Sequence, residues 1–84
     1  MALDDDFASA QERVKTLSSR PSNQDLLELY ALFKQGSAGD ASGKRPGAFD
    51  FKGRAKFDAW ASKRGMSADD AKNAYVALVN RLVG

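Results

Sequence analysis

Gly36-Ser37-Ala38-Gly39-Asp40-Ala41-Ser42-Gly43-Lys44-Arg45-Pro46-Gly47-Ala48-Phe49 separates two segments of helical pattern. Its glycine, serine and alanine content and the Pro46-Gly47 pair mark it as a loop. Connections between helices of a small bundle need only ~2–8 residues, and longer ones tend to be functional. This one also has a geometric use. A helix of ~15 residues is ~22 Å long, whereas ~13 extended residues can span ~40 Å. The loop can therefore return along the helix before it and start the next helix parallel to that one. Short connections elsewhere imply antiparallel neighbours.

Outward from the loop, every segment reads as helix. Before it, Leu26, Leu27, Leu29, Tyr30, Leu32 and Phe33 crowd a helix opened by Ser22 and Asp25, a capping box with Asp in place of Glu, and ended by Gly36 and Gly39. Its apolar residues cover more than one ~100° stripe, so this helix faces a core and something else. Earlier still, Phe7, Ala10, Val14 and Leu17 recur at helical spacing behind Asp4-Asp5-Asp6, and Arg20-Pro21 stops that helix. After the loop, Asp50 caps a third helix running to about Arg64 and closed by Gly65. Ser67 with Asp70 opens a fourth, whose apolar face is Ala71, Ala74, Tyr75, Leu78 and Leu82. No stretch alternates with a period of two. The expected fold is an all-α, four-helix bundle in one domain over residues 1–84, with the long loop between helices two and three.

Composition excludes much chemistry. The chain of 84 residues has no histidine and no cysteine, so imidazole bases, thiolate nucleophiles and His- or Cys-based metal sites are absent. Asp4-Asp5-Asp6 and Asp69-Asp70 are neighbours that do not face each other on a helix; they suit helix N-termini better than acid–base pairs. No glycine-rich run has the Walker spacing. The expectation is a non-enzyme with no catalytic residues, no metal and no cofactor. The apolar runs are too short to cross a bilayer, and Asp4-Asp5-Asp6 stands where a secretion signal would be basic. The expected setting is the cytoplasm, with no stable membrane insertion and a monomeric state.

The net charge is +2, but its distribution is uneven. Residues 44–64 carry Lys44, Arg45, Lys52, Arg54, Lys56, Lys63 and Arg64 against only Asp50 and Asp58. Such a segment attracts an anion, or else is an ordinary solvated face. On helix two, Tyr30 and Lys34 are i, i+4, with Phe33 beside them. On helix three, Lys52, Lys56 and Lys63 share a face. With those helices side by side, Lys34 and Lys56 can converge on one anion, Tyr30 can donate from its hydroxyl, and Phe33 can stack a flat ring. Amphipathic packing, with lysine stems lying along a half-buried tyrosine, accounts for the same spacing.

The string also resembles a known family. Tyr30-Ala31-Leu32-Phe33-Lys34-Gln35, Gly39-Asp40, Arg45-Pro46-Gly47 and Asp50-Phe51-Lys52-Gly53-Arg54-Ala55-Lys56-Phe57-Asp58-Ala59-Trp60 are similar to the signature of acyl-CoA-binding proteins. Phe7, Val14, Pro21, Ala71 and Tyr75 agree at the outer positions, so the likeness covers essentially the whole chain. It implies an up-down-down-up bundle that binds long-chain acyl-CoA thioesters without transforming them. Carried over by position, it implies that Tyr30, Lys34 and Lys56 hold the ribose 3′-phosphate, that Phe33 stacks on adenine, and that Tyr75 completes the head-group site. Lys15 and Arg20 match basic positions near the phosphates, and Leu26, Leu27 and Ala55 would line part of the acyl groove. Phe33 stands where tyrosine is usual, Phe57 where the first ring of a Trp-x-x-Trp pair is usual, and these 84 residues include no lysine-rich tail. Two rival readings use the same residues: a basic module that binds nucleic acid, and a bundle that offers helix two to a partner protein.

Overall fold

Helix caps and apolar spacing produce four helices among the residues described by the computed structural model, 2–84: α1 (Leu3–Val14), α2 (Asn23–Ala38), α3 (Phe51–Ala61) and α4 (Ala68–Val83). Three begin at the expected side chains. Ser22 accepts from Asp25 N, Asp50 from Gly53 N, and Ser67 from Asp70 N, each satisfying a donor that the first turn leaves unpaired.

The ends differ from expectation at three places. α1 stops at Val14, well before Pro21, because its last turn tightens: Thr16 N and Thr16 Oγ1 both donate to the Arg13 carbonyl. Leu17 is thus half-buried from an irregular segment. α2 continues through Gly36 to Ala38, and Gly39, at φ 85°, ends it. Gly36 is there for close approach: a Cβ at that position would lie 3.1 Å from Lys72 Cγ and 3.4 Å from Phe7 Cζ. α3 ends at Ala61, not Arg64. Lys63 N, Arg64 N and Met66 N then bond three residues back in tight turns, with Gly65 at φ 95°.

Contacts fix the directions. Lys72 bonds Asp4 near the starts of α4 and α1, and Arg13 bonds Asn80 near their ends, so those helices are parallel. Arg81 meets Asp25, and Gly36 meets Lys72, so α2 is antiparallel to α4. Tyr30 faces Lys56, and Lys34 faces Trp60, so α3 is parallel to α2. The result is the expected up-down-down-up order. α1 and α2 pack on α4, while α3 packs on α2 alone.

The core, Phe7, Ala10, Leu29, Leu32, Tyr75 and Val79, sits where α1, α2 and α4 meet. α3 lies outside it and buries only Trp60. It is fastened at one end. Trp60 Nε1 donates to Gly39 O at 2.7 Å, and Arg64 donates to Ala41 O at 3.0 Å. The buried Gln35 amide donates to Asp40 Oδ1 and to Met66 O, both at 2.8 Å, and Gly65 N donates to the same Asp40 oxygen at 2.9 Å. Along the loop, Arg45 clasps Asp58 with two bonds of 2.8 and 2.6 Å. These links join the exit of α2 to the exit of α3. The other end of the α2–α3 seam is left open.

Candidate functional site

An open seam between parallel helices leaves a groove of about 610 Å³, lined by Arg20, Asn23, Leu26, Leu27, Tyr30, Phe51, Lys52, Ala55 and Lys56. The register explains the lining. Asn23, Leu27 and Tyr30 recur at i, i+4, i+7 on α2, and Phe51 and Ala55 or Lys52 and Lys56 recur at i, i+4 on α3. Leu26, Leu27 and Ala55, expected to lie together in a trench, are all in the lining. They are only half-buried, leaving apolar surface unmet by the protein itself.

The rim of the groove is phenolic and cationic. Lys56 Nζ lies 5.4 Å from the Tyr30 ring centroid. One turn along α2, Lys34 Nζ lies 4.8 Å from the Trp60 ring centroid on α3. Both ammoniums rest on aromatic faces, which hold a cation without neutralising it. Among the described residues Lys34, Lys52 and Lys56 take part in no ion pair. Of the three residues expected to converge, Tyr30 and Lys56 line the groove, while Lys34, one turn further along α2, rests on Trp60 outside the lining.

Of the other expected head-group residues, Arg20 is in this lining, and Phe33, Tyr75 and Lys15 are not. Phe33 is half-buried on the α1–α4 side of α2, its ring stacked 6.0 Å from Phe7 and tilted 6.5 Å from Tyr75. Tyr75 is buried, edge-on to Phe7 at 5.2 Å. Burial pushes its phenol pKa up, which keeps the proton on the oxygen and available for donation at neutral pH. Arg20 lines the end of the groove and bonds Asn23 Oδ1 at 3.0 Å. Lys15 is exposed beyond α1, 3.5 Å from Glu12, and is not in the lining.

Lys63, read as a third lysine on one face with Lys52 and Lys56, bonds Glu28 at 2.7 Å instead. It lies past the end of α3, so helical spacing does not govern it. Conversely, Asn23, Phe51 and Lys52 enter the lining although sequence reasoning left them out of the site. Each stands four residues from an expected member, and that periodicity was the available signal. Trp60 was missed as the seat of Lys34, because their meeting depends on how two helices pair.

An apolar trench beside unpaired cations suits a ligand that is part anion and part hydrocarbon. The family model described as "Acyl CoA binding protein" matches residues 4–79. The chain belongs to that family. It is 56% identical over 84 residues to the acyl-CoA-binding protein homolog of Manduca sexta, covering 99% of this chain and 93% of the relative. Acyl-CoA-binding protein homolog 1 of Caenorhabditis elegans is also 56% identical, over 92% of this chain and 90% of its own. Among solved structures, the crystal structure of Oryza sativa Acyl-CoA-Binding Protein 2 superposes with a TM-score of 0.93 at 39% identity, covering 98% of this chain and 91% of the other.

Proposed function

We propose that the protein binds medium- to long-chain acyl-CoA thioesters and carries them as an intracellular pool, without chemical turnover. The observation that carries this reading is the α2–α3 groove, with an apolar floor at Leu26, Leu27 and Ala55 and cations at Lys52 and Lys56 on its rim. Its volume of about 610 Å³ falls in the ~300–1,000 Å³ range of small-molecule sites. In this reading Tyr30, Lys34 and Lys56 hold the 3′-phosphate, Phe33 offers a ring face to adenine, and Tyr75 completes the head-group site. Lys15 and Arg20 assist at the phosphates. The 84 residues act as one monomeric, cytoplasmic domain. A chain without histidine or cysteine is poorly equipped for acyl transfer, which supports carriage over catalysis.

The two halves of such a ligand contribute differently. Each methylene withdrawn from water contributes ~0.8 kcal/mol, so a dozen contribute roughly 10 kcal/mol before ordering costs. Affinity therefore rises with chain length, while the phosphorylated nucleotide sets specificity. The rival readings fit less well. In the basic cluster Lys63 is taken by Glu28 and Arg45 by Asp58, and Leu29 and Leu32 of α2 are spent in the core.

Titration calorimetry with palmitoyl-CoA, free CoA and free palmitate tests the proposal. The thioester is expected to bind far more tightly than either half. A thioester that binds no better than CoA would overturn it.

A further inference from the structure

Lysines in this fold are held in two ways. Lys15, Lys63 and Lys72 pair with the carboxylates of Glu12, Glu28 and Asp4, which fix the ammonium and also neutralise it. Lys34 is fixed without neutralisation. Its Nζ lies 4.8 Å from the Trp60 ring centroid, and it forms no ion pair among the described residues. Of the aromatic rings, indole attracts an ammonium most strongly. A lysine free in solvent samples many rotamers and gives up that freedom on gripping an anion, whereas a seated one has already given it up.

The seat itself is locked. Trp60 is buried, its Nε1 donates to Gly39 O at 2.7 Å, and Phe57 meets it edge-on with centroids 6.3 Å apart and planes at 74°. Gly39 is the residue that ends α2, little more than a turn beyond Lys34. The hydrogen bond therefore ties the indole edge to the end of the helix that carries the lysine, although Trp60 belongs to α3. Ring and ammonium share one frame. Trp60 stands outside the groove lining, so contact with an apolar tail does not account for this arrangement.

We infer that Trp60 is a positioning residue for anion recognition: its face holds Lys34 charged and preorganised, and through Lys34 it sets the preference for a ligand that carries a 3′-phosphate. The inference rests on the carrier reading and adds to it a residue that acts on the ligand's phosphate without touching it.

Calorimetry with palmitoyl-CoA and its 3′-dephospho analogue tests it on wild type, Trp60→Leu and Trp60→Phe, each at a temperature where circular dichroism shows the protein folded. Loosening of α3 alone would weaken both ligands alike, whereas loss of the seat weakens the phosphorylated one selectively. The ratio of the two affinities is expected to fall about fivefold in Trp60→Leu and about twofold in Trp60→Phe, which keeps a smaller aromatic face. Neither substitution should lower the ratio further when added to Lys34→Met, because the residue it acts through is already gone. Trp60→Phe carries the test if Trp60→Leu does not fold. A wild-type ratio in the folded variants, or an equal fall in the Lys34→Met background, would overturn the inference and leave carriage intact. Wild type that binds no thioester would instead overturn the carrier reading, and the inference with it.

Discussion

Replacing Lys56 or Lys34 by methionine removes a charge while keeping most of the stem that lies on its aromatic neighbour. Lys56 Nζ is 5.4 Å from the Tyr30 centroid and Lys34 Nζ is 4.8 Å from that of Trp60. Neither has a carboxylate partner to release, so each reaches a phosphate without first breaking an ion pair. A hydrogen bond to a charged group contributes ~1.5–3 kcal/mol, which sets the expected loss of palmitoyl-CoA affinity at roughly 10- to 100-fold. The fold should barely respond. What it forfeits is a cation–π contact of ~0.5–1 kcal/mol at an exposed site, a few degrees in Tm. Calorimetry with palmitoyl-CoA and with its 3′-dephospho analogue separates charge from packing. If the lysines grip the 3′-phosphate, wild type loses affinity on going to the dephospho ligand and the variants lose little more. Equal losses with both ligands would move the lysines away from that phosphate. Unchanged affinity for palmitoyl-CoA would remove them from the site.

The fastening of α3 should be equally measurable. Trp60→Phe deletes the donor to Gly39 O and part of a buried ring, and is expected to cost about 1–3 kcal/mol in denaturant unfolding; an unchanged midpoint would refute it. Gly36→Val puts a branched side chain where a Cβ already meets Lys72 Cγ at 3.1 Å, with an expected loss of about 1–3 kcal/mol from overpacking, read by thermal melting. Asp40 is held below its ordinary value of 3.8 by the Gly65 N–H, then by the Gln35 amide, and Asp58 likewise by Arg45. Both carboxylates therefore stabilise the fold when ionised, fully above about pH 5, and that contribution disappears as pH falls through their depressed values. Asp40→Asn should flatten the acid limb of stability against pH, and a limb as steep as wild type would count against the Asp40 bridge.

The four helices were legible because their signals are local. Ser22, Asp50 and Ser67 cap through side chains three residues from the donors they satisfy, and the length of the central loop bounded the direction of α3. Helix ends were less legible. Leu17 keeps the spacing of α1 and Gly36 resembles a stop, yet the first is half-buried from an irregular segment and the second lies within α2 to admit Lys72. Spacing records which residues are apolar or small, while the neighbour that makes a residue so belongs to another helix.

At the site, spacing along α2 and α3 was enough to nominate Tyr30, Lys34 and Lys56, whereas Leu26, Leu27 and Ala55 were nominated by the resemblance to acyl-CoA-binding proteins. Pairing decided the rest. Lys34 rests on Trp60, Lys63 goes to Glu28, and Phe33 joins Phe7 and Tyr75, because a helix turns ~100° per residue and adjacent side chains are sent to different partners. Which partner waits there depends on contacts tens of residues away along the chain, and only the packed molecule contains them.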